Sequence, residues 1–281
     1  MSLRLAVIGD LHFPRLRNHL ESVVARRDEF YRTLLTQFFI HPADLHVVLG
    51  DVTHEGTKEE WTAAYSLLTS LANKYNRQFH ILLGNHDTLA FSKKEIEEHT
   101  GMPRYTFHDT SSCRLLLLDT TKEATPANWG GLIDDQELEW LAGLPAPTAN
   151  CTLVFGHHPF PNTTAESEIP MMSAENAHAL VPLVHSNRVV YFNGHNHVNS
   201  ITTGSGDLSH WTFVQAASVL CSPSFRVVEV SDDEISVSTV FVDGPTLYED
   251  AQAVRGALTG YAHKPLAKGQ TVDHDIRLPL S

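Results

Sequence analysis

The sequence predicts an α/β fold whose strands deliver their ends to one site, and two observations carry that expectation. Five short, mostly apolar runs are separated by amphipathic or polar stretches, the pattern of βαβ units around a largely parallel, buried sheet. Each run is also followed within two residues by a glycine and then by Asp, Asn or His. At 281 residues, 42% apolar and 19% charged, the chain can bury a sizeable core.

The elements follow in chain order. Leu5–Ile8 reads as a strand ending in Gly9-Asp10-Leu11-His12, with a helix from about Leu20 to Phe39. Leu45–Leu49 ends in Gly50-Asp51 and precedes a helix near Lys58–Lys74. Phe79–Leu83 ends in Gly84-Asn85-His86-Asp87, and Leu115–Leu118 is a further strand. Trp129-Gly130-Gly131 leads into a helix over Asp134–Leu144. Thr152–Phe155 ends in Gly156-His157-His158-Pro159, and Val189–Phe192 in Asn193-Gly194-His195-Asn196-His197. Phe225–Val242 alternates around Asp232-Asp233-Glu234 as a hairpin. No repeat or linker divides the chain, so residues 1–245 are expected to form one domain. Residues 246–281, with a helix near Glu249–Leu258, form a C-terminal extension that packs on the domain or on a partner chain, which leaves a homodimer open.

Composition narrows the function. Lys and Arg number 20 against 33 Asp and Glu, a formal charge of −13 that opposes binding to a nucleic-acid polymer. Three widely spaced cysteines make neither a disulfide framework nor a C-x-x-C site. With no run resembling a signal peptide or membrane span, a cytoplasmic, membrane-free protein is expected. The unusual count is 18 histidines.

Their placement is informative. In open α/β sheets ligands bind beyond the carboxyl ends of the strands. The five ends would therefore bring together Asp10, His12, Asp51, Asn85, His86, His157, His158, His195 and His197. Asp10-x-His12 and His195-x-His197 place side chains two residues apart, on one side of an extended segment. The glycines before these residues allow close backbone approach or a positive φ. Turn chemistry explains Asp or Asn beside Gly, but not six histidines gathered at these ends. Imidazole mixed with carboxylate suits Fe, Mn, Zn or Co, and two such ions would lower the pKa of a shared water enough to give a nucleophile near neutral pH. Thr203-Gly204-Ser205-Gly206 lacks the spacing of a dinucleotide loop and reads as a turn.

The ordered series Asp10-x-His12, Gly50-Asp51, Gly84-Asn85-His86-Asp87, Gly156-His157-x-Pro159 and Gly194-His195-x-His197 resembles the calcineurin-like metallophosphoesterase superfamily. That resemblance implies a four-layer α/β-β-α sandwich of two mixed sheets, with the active site at strand carboxyl ends. It also implies two divalent or trivalent ions. Asp10, His12 and His197 would hold one, Asn85, His157 and His195 the other, and Asp51 would bridge them. The family's His-x-Pro pattern selects His157 over His158. His86 follows a ligand directly and is expected to contact phosphate or protonate the leaving oxygen.

Protein phosphatases of this superfamily carry Asp-Arg-Gly where this chain has His54-Glu55-Gly56. The motif set is more similar to class III cyclic-nucleotide phosphodiesterases and glycerophosphodiesterases. The expected activity is therefore hydrolysis of a small phosphodiester such as a cyclic nucleotide. A phosphomonoesterase or nucleotide pyrophosphatase is the alternative, and a non-catalytic metal-binding regulatory protein is the alternative of another class.

Overall fold

The computed structural model describes residues 2–17, 19–122, 125 and 127–280. Two six-stranded sheets lie face to face with helices on the outside. The first contains β1 (Leu3–Ile8), β2 (Leu45–Val48), β3 (Phe79–Ile81), β10 (Ser224–Val230), β11 (Glu234–Phe241) and β12 (Ile276–Pro279), in the order β12-β11-β10-β1-β2-β3. The second contains β4 (Thr106–Asp109), β5 (Arg114–Leu117), β6 (Cys151–Phe155), β7 (Arg188–Asn193), β8 (Ser200–Thr203) and β9 (Trp211–Gln215), in the order β4-β5-β6-β7-β9-β8. Both sheets are mixed. β1, β2 and β3 run parallel while β10, β11 and β12 add antiparallel. The second sheet has a parallel centre, β5-β6-β7-β9, with antiparallel β4 and β8 at its edges.

The period of two along each strand separates the layers. Leu5 and Val7 of β1 face Leu115, Leu117, Leu153, Phe155, Val190 and Phe192 in the core between the sheets. Ala6 and Ile8 point the other way, into a core with Phe30, Leu34 and Phe38 of α1 (Glu21–Ile40) and with Trp61 and Leu68 of α2 (Lys58–Tyr75). Across the molecule Leu116, Val154, Tyr191 and Phe213 pack under Leu141 of α4 (Asp135–Ala142). The result is the four-layer arrangement that the resemblance implies.

Two helices also reach the strand ends. The Tyr31 hydroxyl of α1 donates to the Leu11 carbonyl at 2.6 Å, and the Trp61 indole of α2 donates to the Asp87 carbonyl at 3.2 Å. α2 starts at a capping box between Thr57 and Glu60, and α3 (Lys93–Thr100) at one between Ser92 and Glu95. The hairpin expected at Phe225–Val242 is β10-β11, and Asp134 caps α4 through the Glu137 amide. β4, β8, β9 and β12 are additions to the strands read from sequence. In the C-terminal stretch α5 (Leu247–Gly256) supplies Leu247, Ala251 and Val254 to the α1 core, and β12 extends the first sheet. No helix among the described residues is long and apolar enough to cross a membrane.

Candidate active site

The carboxyl ends of β1, β2, β3, β6 and β7 meet between the two sheets, and with them the polar residues that follow each strand. Backbone bonds hold the loops together: the His12 amide donates to the Asp51 carbonyl at 2.8 Å and the Phe13 amide to the Val52 carbonyl at 2.9 Å. Asp87, the last residue of the Gly-Asn-His-Asp motif, ties the loops after β2 and β3. Its carboxylate accepts from the amides of Val52, Thr53 and Gly84 and from the Thr53 hydroxyl. The sequence reading assigned it no role.

The glycines act mainly by letting groups approach. A Cβ on Gly84 would lie 2.2 Å from Asp51 Oδ1, and one on Gly194 would lie 2.6 Å from Asp10 Oδ2. Of the five glycines only Gly50 has a positive φ. The left-handed backbone falls instead on site residues themselves, at His12 (φ 47°), Asp51 (47°), His195 (71°) and His197 (62°). Such conformations are costly in non-glycine residues and persist where the surroundings over-determine them.

Among the described residues three groups could hold a cation: Asp10, His12, Asp51 and His197; His157, His158 and His195; and His12, His54 and His86. Asp10, His12, Asp51 and His197 offer one ligand atom each, all within 4.8 Å of one another. His12 Nε2 and His197 Nε2 are 2.9 Å apart. In the second group His157 Nε2 lies 3.2 Å from Asn85 Oδ1, 3.3 Å from His195 Nδ1 and 3.5 Å from Asp51 Oδ2. Asp51 Oδ2 is also 3.6 Å from His12 Nε2, so one carboxylate oxygen stands between the first two groups. Asp10, His12, Asp51 and His157 each expose at most 1% of their surface.

This arrangement fits cations. His157 Nδ1 donates to the Leu49 carbonyl at 2.8 Å, His195 Nε2 to the Met171 carbonyl at 3.0 Å and His197 Nδ1 to the Ala262 carbonyl at 3.1 Å. A backbone carbonyl on one ring nitrogen fixes the tautomer and turns the other lone pair towards a metal.

The electrostatics point the same way. Burial pushes the Asp10 carboxyl up to about 7, with Asp51 adding to the rise and His157 opposing it. Burial works against ionising Asp51 too, yet His157, His86 and His12 around it hold its carboxyl well below the ordinary range. Burial also disfavours a charge on His157, but Asp51 and Asp10 outweigh it and raise the imidazole to about 9. The carboxylates thus favour a positive charge at this position, and a bound metal ion would take the proton's place. Burial drives His12 well below its usual range, His195 to about 3 and His197 to about 4, so these rings are neutral, the form that binds metal.

His158 has a ring nitrogen within 4.8 Å of those of His157 and His195, but both of its ring nitrogens are hydrogen-bonded. Its Nε2 donates to the Trp129 carbonyl at 3.0 Å, so Nδ1 accepts from the Thr120 hydroxyl at 3.1 Å. Its ring centroid nevertheless lies 4.3 Å from that of His195. His157→Ala should therefore lower the metal content, whereas His158→Ala should keep both ions and change turnover. Metal analysis of the two purified variants tests this, and loss of metal in His158→Ala alone would reverse the assignment.

His86 stands beside the donors. Its amide donates to Asp51 Oδ1 at 2.8 Å, its Nδ1 donates to the His54 carbonyl at 2.6 Å, and its ring meets His12 edge-on at 4.6 Å. Two side chains without an assigned role adjoin the site. His54 stacks on His86 with centroids 5.3 Å apart, and its place in Gly50-Asp51-x-x-His54-x-Gly56 was the available sequence signal. Tyr261 stacks on His197 at 5.2 Å, and no local pattern marked it.

Among solved structures the chain is similar to a dimetal phosphatase from Danio rerio, with 16% identity, a TM-score of 0.66, and 86% of this chain and 99% of that chain covered. It is also similar to the purple acid phosphatase PPD1 from seeds of yellow lupin (Lupinus luteus), with 11% identity, a TM-score of 0.52, and 93% of this chain and 57% of that chain covered. Identities this low speak for the fold alone. No curated protein matches in sequence. Residues 3–199 match the family described as calcineurin-like phosphoesterase. That span is more than half of the chain and contains all five strand ends that build the site. The chain belongs to the calcineurin-like phosphoesterases, a metallophosphoesterase family.

Proposed function

We propose that the chain hydrolyses a small phosphodiester, such as a cyclic nucleotide, with two metal ions bound at the strand ends. Asp10, His12 and His197 would hold one ion, Asn85, His157 and His195 the other, and Asp51 both. When bound, such a pair supplies positive charge against the phosphoryl oxygens and an activated water for in-line attack. The protein keeps the donors buried and pre-oriented. His86 gives Nδ1–H to the His54 carbonyl, so any proton it exchanges with substrate passes through Nε2.

The observation that carries the diester reading is the charge of the donor set. Asp10 and Asp51 are its only carboxylates, so when both ions are divalent, these and one hydroxide leave about one positive charge. This matches the single charge of a diester better than the double charge of a monoester. Glu55 stands where the superfamily's protein phosphatases carry arginine, and its carboxylate pairs with Arg15.

Relative kcat/KM for bis-p-nitrophenyl phosphate and p-nitrophenyl phosphate, with Mn added, tests the reading. The diester is expected to turn over faster. Faster turnover of the monoester would replace the reading by a phosphomonoesterase. No turnover of either with two ions bound would favour a metal-binding protein without catalysis.

A further inference from the structure

We propose that the C-terminal segment Thr259–Ala262 is a working part of the metal centre, and that Tyr261 is a positioning residue for the ion among Asp10, His12 and His197. The proposal rests on the two-ion reading above and extends it to residues beyond the 3–199 span of the family match.

The segment is anchored on both sides. Before it, α5 packs into the α1 core. After it, the fully buried Arg226 donates to the carbonyls of Asp273 and His274 at 2.7 and 3.1 Å and to that of Gln215 at 2.7 Å. Between these anchors the chain passes beside the site and contacts it repeatedly. The Thr259 carbonyl accepts from His54 Nε2 at 2.9 Å, and the Ala262 carbonyl accepts from His197 Nδ1 at 3.1 Å. The Tyr261 ring stacks on His197 (5.2 Å, 22°) and meets His12 edge-on (5.2 Å, 86°). Ser218 Oγ donates to the Asp10 carbonyl at 3.0 Å, which leaves the Tyr261 hydroxyl to donate to Ser218 Oγ at 2.7 Å.

Tyr261 thus reaches the three residues that belong to one ligand set alone, His12 and His197 through its ring and the backbone of Asp10 through Ser218. The other set is held by different segments, the Leu49 carbonyl on His157 and the Met171 carbonyl on His195. Groups that orient metal-binding imidazoles typically govern affinity by 10–100-fold. The segment should therefore tune one ion and spare the other, a difference that general destabilisation would not produce.

The test is a Mn titration of the metal-freed full-length chain, followed by calorimetry and by electron paramagnetic resonance of the bound ion. Wild type is expected to bind two ions. In Tyr261→Ala one class of site should weaken by about 10–100-fold and the other by less than about twofold, with kcat recovering at saturating Mn. Tyr261→Phe keeps the ring and should weaken the same class by a smaller factor. Lys264→Ala removes the 2.5 Å ion pair with Glu166 without touching these rings and should bind as wild type. If Tyr261→Ala does not fold, Tyr261→Phe decides. Equal weakening of both classes, or of neither, overturns the proposal. Fewer than two ions in wild type would instead overturn the reading on which it rests.

Discussion

Asp51→Asn is expected to bind fewer than two ions per chain and to lose turnover by about 10³-fold or more, the scale seen when groups that act as a unit lose a member. The substitution is a clean one. Asn tolerates the left-handed backbone that Asp51 adopts at φ 47°. Its amide oxygen can still accept the His86 amide, which now donates to Oδ1 at 2.8 Å. What disappears is the charge at Oδ2, within 3.6 Å of His12 Nε2 and 3.5 Å of His157 Nε2. Two cations held close together repel each other, and the carboxylate between them offsets that repulsion. Metal content and kcat of the purified variant, with circular dichroism to confirm its fold, check the expectation. Two tightly held ions with turnover near wild type would show that Asp51 does not bridge.

The five strand ends were legible because each combines two local signals, an apolar run and a glycine followed by a polar donor. β9 lacks the second: Trp211–Gln215 is fully buried but runs into Ala216. β4, β8 and β12 are short edge strands with polar or exposed positions, such as His108, Thr203 and Arg277, and carry a weak pattern. Within the site, residue identities were legible while orientation was not. Which nitrogen of His157, His195 and His197 would face a cation is set by carbonyls of Leu49, Met171 and Ala262, which come from distant parts of the chain. The reading placed positive φ on glycines. The fold places most of it on His12, Asp51, His195 and His197, because the glycines are needed for space. Tyr261 lay in the C-terminal extension beyond its expected helix, and its position depends on how α5 and β12 return that stretch to the site.

His86→Ala is expected to leave both ions bound and to lower turnover by about 10²–10⁴-fold, the range for a lost general acid or base. The structure sharpens the reason. The anchor of this segment to Asp51 is the backbone amide of residue 86, which alanine retains, so the position of the Asp51 carboxylate should survive. The ring is a different matter. Its Nδ1 is occupied by the His54 carbonyl and one face is stacked on His54, which leaves Nε2 as the nitrogen able to exchange a proton. A general acid matters most where the leaving oxygen is most basic. The loss should therefore be larger for an alkyl ester than for p-nitrophenolate, which departs without much help. Metal analysis and kcat/KM for two diesters of different leaving-group pKa separate the possibilities. An emptied metal site would make His86 a ligand and overturn the donor set. An equal loss with both esters would mean that His86 stabilises charge on the phosphoryl oxygens rather than donating a proton.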